Sequence, residues 1–191
     1  MLFRSLGCHL GTKDRFATHA IMGAGHPRLS FELEAYTTNQ PAHYVVDADY
    51  EQRKGKIEGM NLWLTGQIEN ARRMLTLLQT DMFHSGGMLP ELAFYDCHSC
   101  HHPMDKIRWN AQRAGAGIKP GTLRLQTQNL IVLQAVTETF EPAALTELVG
   151  LTNGLIRAGQ RDRATVTSAA KALQDWVDYM EIGRASCRER V

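Results

Sequence analysis

The chain reads as an all-α protein, a loop-rich, histidine-bearing region followed by a small helical bundle. Three observations predict this. Apolar residues in the second half recur at helical spacing, strand-like alternation is confined to one short stretch ("HYVVDA", 43–48), and residues 7–50 mix glycine, proline, histidine and polar residues with little periodicity.

Within that first region the pattern supports only a short helix over Lys13–Met22, so it reads as loops wrapped around something, with little of its own to bury. Leu64, Ile68, Ala71, Leu75 and Leu78 then follow one another at intervals of four, three, four and three, one face of a helix from roughly 56 to 82. The "HSGG" that follows is its glycine stop. Residues 89–104 ("LPELAFYDCHSCHHPM") form a turn-like segment halted by Pro103, and 105–117 a short helix capped by Asp105 and stopped by glycines. Three further helices are marked by Leu130, Leu133, Val136 and Phe140, by Leu145, Leu148, Leu151 and Leu155, and by Val166, Ala170, Leu173, Val177 and Met180, with breaks at "EP" and "GQRD".

The ends are set apart from this pattern. "MLFRS" (1–5) and "EIGRASCRERV" (181–191) resemble translated sequencing adapters and are read as non-native, which removes Cys187 from the cysteine count and presumes that an upstream segment, signal peptide included, is lost. The whole chain has 21 Lys and Arg against 20 Asp and Glu, and the ends aside it has 17 against 18. Neither balance favours nucleic acid. No apolar run approaches the roughly 20 residues that span a bilayer.

The chemistry is concentrated between Cys97 and His102, where two cysteines and three histidines fall within six residues. Cys97-His98-Ser99-Cys100-His101 is C-x-x-C-H, the attachment signature of a c-type haem. Two thiols three residues apart on one helical turn can each form a thioether with a haem vinyl group, and the adjoining His101 then lies under the iron. Two rivals use the same residues. A zinc site built from Cys97, Cys100 and His101 or His102 normally needs a second ligand pair, and Cys8 stands alone. A redox dithiol expects a preceding strand in a βαβ unit, which the pattern does not supply. Cys8-His9 also ends in Cys-His, and Ser5 occupies the place of a first cysteine, so "SLGCH" reads as the remnant of a second haem motif. That implies at least one haem c, and two or more if both motifs count.

On the segments "GCHLGTKDRFATHAIMGAGHPRLSFELE", "QPAHYVVDADY" and "FYDCHSCHHPMDKIRW", about half the chain, the sequence resembles the multihaem c-type cytochromes, in particular the tetrahaem cytochromes that accept electrons from hydroxylamine oxidoreductase. It departs from them in carrying one intact motif where the family has several. The resemblance implies an N-terminally truncated haem-binding region over 6–115, a C-terminal helical region over 116–180, histidine on both faces of most irons, redox partner proteins and a periplasmic or otherwise exported location. Candidate axial ligands besides His9 and His101 are His26, His19 and His43, with His26 foremost: it precedes Pro27, which favours an extended backbone, and "AIMGAG" offers glycines for close approach. His102 reads as solvent-facing and His84 as a charge partner of a helix C-terminus. Met22, Met88 and Met104 read as packing, and Arg28 and Arg108 as possible partners of haem propionates.

Three functions follow. The first is electron transfer by covalently bound haem, with no catalytic residue of its own. The second is a multihaem oxidoreductase in which one iron keeps an open position for a small nitrogen or sulfur compound. The third is a zinc-stabilised helical module. The surplus of histidine favours the first.

Overall fold

The computed structural model describes residues 3–12, 14–26, 28, 33–41, 44–56, 58–84, 89–106 and 118–188, with side chains from Gly7 to Met180 except Leu33 and Glu34. His43, Met88, Arg108 and most of the helix expected over 105–117 lie outside them. The described residues are mainly helical and contain no strand beyond two isolated bridges, Thr12 with Arg15 and Tyr95 with Leu125.

Four long helices close a ring. α5 (Gly59–Leu78) packs against α6 (Gln128–Phe140) and α8 (Arg163–Arg188), while α7 (Pro142–Ala158) also packs against both. Pro142 opens α7, where a missing N–H costs nothing, and Asp162 caps α8 by accepting from the Thr165 N–H at 2.8 Å. The predicted stripes supply the core: Leu75, Leu78, Leu148, Leu155, Val166, Ala170 and Leu173 are all buried. Polar ties fix the register. Asn129 donates to Gln67 (2.8 Å) between α6 and α5, and Arg72 and Gln79 of α5 donate to Asp178 and Gln174 of α8, each at 2.7 Å.

The bundle's core continues into the region upstream of residue 116. Phe16, Phe83, Ala93, Phe94 and Tyr95 belong to the same buried cluster as Leu125, Leu148 and Leu173. α5 is therefore buried on a second side, where Leu77 meets Gly11, just after α1 (Phe3–Leu10), and Met74 meets Arg28. Gly11 makes that contact possible. Its φ of +90° is left-handed, and a Cβ there would lie 2.6 Å from Leu77 and 2.8 Å from Phe16. The N-terminal segment thus has an apolar anchor of its own, which corrects the expectation that it has little to bury.

Other differences are local. α5 stops at Leu78, and Asp81–His84 tightens into a 3-10 turn. The helix expected over 13–22 is reduced to α2 (His19–Gly23), because Phe16 and Ala17 are drawn into the core and Thr18 caps the next turn. "HYVVDA" forms no strand: with no strand to pair with, Val45 and Val46 stay exposed and Asp47 caps α4 (Ala48–Lys54). α3 (Leu33–Thr38) and α4 are short helices that the weak periodicity of this region does not announce.

Candidate functional site

The cysteine motif sits on a rigid footing. Phe94 is fully buried, stacked on Phe16 (centroids 4.6 Å) and edge-on to Phe83 (5.5 Å). Tyr95 donates its hydroxyl to the Gly159 carbonyl at 3.1 Å, and burial pushes its phenol pKa up. Backbone bonds from Asp96 N to Arg124 O (2.7 Å) and from Gln126 N to Phe94 O (2.8 Å) then lash the segment to the strand-like stretch before α6. Gln126 reinforces them, its side-chain amide donating to the carbonyls of Ala93 (3.2 Å) and Tyr95 (3.3 Å).

From this footing one turn rises. Asp96 caps it by accepting from His98 N at 3.1 Å, Cys97–Ser99 is a 3-10 turn, and His101 N donates to Cys97 O at 2.7 Å. Cys97, Cys100 and His101 are all exposed. His98 is exposed as well. His102 is half-buried, its Nδ1 lying 3.0 Å from the Pro103 carbonyl, rather than simply facing solvent.

Facing the motif is α2. His19, at its first position, has its ring stacked over that of His101, with centroids 6.2 Å apart and planes inclined by 29°. The link between the two segments is Glu91, a residue that pattern reading missed. One of its carboxylate oxygens accepts both from His19 N (2.7 Å) and from Ala93 N (3.0 Å), so a single buried group ties the start of α2 to the foot of the motif. The only signal in the sequence is an acidic residue at the cap position before the apolar "LAF".

α2 ends in a Schellman turn: His26 N donates to Ile21 O (3.2 Å), Gly25 N to Met22 O (3.0 Å), and Gly25 has φ +90°. That turn carries the exposed His26 against His9 of α1, with ring centroids 4.4 Å apart. Gly23 and Gly25 have open space where a Cβ would stand, so the role visible for Gly25 is the turn itself. Cys8, next to His9, is half-buried with a free thiol. The four described candidate histidines are therefore drawn into two pairs, His19 with His101 and His9 with His26, while His43 is outside the described residues. His84 stands at the end of the 3-10 turn Asp81–His84, where its Nε2 is buried without a hydrogen-bond partner among the described residues and its ring is edge-on to Phe83.

Arg28, two residues after His26, is half-buried. It donates to Gln126 Oε1 at 3.2 Å, approaches Met74 Sδ at 3.8 Å and covers the Phe16 ring at 4.9 Å. Burial pulls its pKa down to about 10, with the Cys97 charge acting in the opposite sense.

Simple geometry tests whether these residues fit an iron. With metal–imidazole bonds of about 2 Å and each nitrogen about 1.1 Å from its ring centre, two rings on opposite faces of one metal have centroids about 6 Å apart. His19 and His101 have that centroid spacing, but stacked rings aim their lone pairs along the ring planes and not at each other, so they must turn to share a metal. His9 and His26 are closer, and must part to flank a metal. Among the described residues no three His, Cys, Asp or Glu side chains are gathered as a metal shell, which is the arrangement a zinc site would need. No protein-family model, curated protein or solved structure matches the chain. No described helix is long and apolar enough to cross a membrane.

Proposed function

We propose that the protein is an electron-transfer protein of the multihaem c-type cytochrome kind, in which Cys97 and Cys100 hold a haem covalently. His101 and His19 are the residues that would hold its iron. The observation that carries this reading is the approach of His19 to within 6.2 Å of His101, two residues 82 positions apart, beside a pair of exposed thiols on one turn. Bound haem supplies a reversible one-electron change at iron. The chain's own part is to present both thiols on one side of the turn, to hold His101 by its backbone bond to Cys97, and to hold His19 through Glu91. Exposed Ile21, Leu89, Leu92 and Met104, in the same segments, offer apolar surface for a macrocycle to cover.

With both histidines on its iron the group would have no open position, which favours electron transfer over catalysis on a small nitrogen or sulfur compound. Cys8, His9 and His26 form the corresponding half-site of a second haem, whose missing thiol falls at Ser5. Redox partner proteins and an exported location follow from this reading, because thioether attachment is made on the outer side of the energy-coupling membrane in most bacteria.

The test is co-expression with a cytochrome c maturation system. Acid–acetone extraction should leave colour on the polypeptide, and Cys97→Ala with Cys100→Ala should abolish it. His19→Ala should convert one low-spin iron to a five-coordinate, high-spin form in the absorption spectrum. Extraction of all colour from the wild type would overturn the haem reading, and an unchanged His19→Ala spectrum would overturn the ligand assignment.

A further inference from the structure

The corner of the molecule beside the cysteine turn is basic. Arg124 joins the two: its carbonyl accepts from Asp96 N at 2.7 Å, and its own N–H donates to Ser99 Oγ at 3.4 Å. The stretch around it is held on the turn between α7 and α8, where Gln160 donates to the Leu123 carbonyl at 2.5 Å and a Cβ at Gly159 would lie 3.1 Å from Leu125. Tyr95, at the foot of the motif, donates to the carbonyl of the same Gly159. On this corner Lys119, Arg157 and Arg161 are exposed, and Arg124 is half-buried. The acidic groups of the corner serve internal contacts: Asp96 caps the cysteine turn, Asp162 caps α8, and Asp81 pairs with Arg163. Among the described residues neither Lys119 nor Arg161 forms an ion pair. The whole chain has 21 basic against 20 acidic residues, so the positive charge here is local.

The surroundings narrow the partner. No large apolar side chain is exposed among the described residues 118–125 and 157–163, so the corner offers neither the apolar face that enters a bilayer nor the aromatic platform on which unpaired bases stack. What remains is charge set beside the exposed thiols. We propose that Lys119, Arg124, Arg157 and Arg161 form the docking surface for an acidic redox partner protein, whose carboxylates they meet so that its cofactor is brought to the turn of Cys97 and Cys100. This rests on the haem reading above. Complementary charge of this kind raises the rate and fixes the orientation of encounter more than it tightens the complex, which suits a carrier that must take an electron and leave.

The test uses the haem-loaded protein and a flavodoxin, an acidic one-electron carrier, as the probe. Its hydroquinone passes one electron to a ferric haem and is left as the semiquinone, and stopped-flow absorbance gives the second-order rate. Lys119→Glu with Arg161→Glu should slow this step by about tenfold at low salt, and the deficit should shrink as salt screens the charges. The haem spectrum and midpoint potential should stay as in wild type. Arg53→Glu with Lys54→Glu on α4 makes an equal change in net charge and should leave most of the rate. Equal slowing by both pairs, or no slowing by the first, would overturn the proposal while haem retained through acid–acetone extraction left the haem reading intact. Carbodiimide cross-linking separates the two ideas without any haem. If all colour were extracted yet Lys119 still cross-linked to flavodoxin, and Arg161→Glu weakened that cross-link, the docking surface would stand and the haem reading would fall. Binding to phosphatidylglycerol vesicles or duplex DNA that Arg161→Glu abolished, with no cross-link to flavodoxin, would replace the protein partner by a general polyanion and overturn the proposal.

Discussion

A single carboxylate oxygen, that of Glu91, decides how two distant segments meet. Because it accepts from His19 N and Ala93 N at once, loss of the acceptor leaves two donors with nothing to replace it. Glu91→Ala should cost about 2 kcal/mol of stability, seen as an earlier denaturant midpoint, and should raise the high-spin fraction of the haem-loaded protein. Glu91→Gln, which keeps an acceptor oxygen, should restore most of the low-spin spectrum, an effect that a merely structural role would not produce. Asp162 is the simpler case. Its bonds to Thr165 hold its carboxyl pKa below the ordinary value, so the capped form is favoured at neutral pH and the contribution is lost as pH falls through the lowered pKa. Asp162→Ala should therefore melt earlier than wild type at pH 7, with the gap narrowing in acid; a gap independent of pH would show that the charge plays no part.

At the level of elements, the placing of α1 depends on Gly11. Alanine there would suffer both a positive φ and contact with Leu77 and Phe16, and those neighbours are buried and cannot swing away. Gly11→Ala should lose about 2–4 kcal/mol, from strain of about 1 kcal/mol and overpacking of 1–3. Because α1 carries His9, the variant should also separate His9 from His26. Thermal melts and a nuclear Overhauser contact between the two imidazoles would check both effects. Gly25 works differently, because its open surroundings leave only the backbone constraint of the turn before His26.

Over the whole molecule, the α5–α8 ring and the cysteine segment share one core, with Phe94 and Tyr95 as the bridge between them. Energetic loss and loss of the site are nevertheless separable. Leu148, fully buried in α7, should cost about 2–5 kcal/mol when cut to alanine, while the haem absorption spectrum of the folded fraction stays as in wild type. A spectrum altered in proportion to the lost stability would mean that the bundle and the site are one device.

The sequence alone determined the helices whose stripes are long and regular: Leu64 through Leu78, Leu130 through Phe140, Leu145 through Leu155 and Val166 through Met180 each repeat often enough for the 3.6-residue period to exceed noise. The cysteine turn was legible too, because its spacing is local chemistry. Between residues 7 and 50 the pattern failed. There, short helices are set by caps such as Thr18 and Asp47 and by the pull of Phe16 into a core made elsewhere. Which histidine meets which was not legible at all. His26 was set foremost for its place before Pro27, but nothing local told its partner from that of His19, and only the fold brings His19 over His101 and His26 against His9. Those pairings depend on a carboxylate and a Schellman turn that join segments far apart in the chain. Periodicity records only which face of an element is apolar; long-range pairing is decided by tertiary packing, because it depends on where those faces meet.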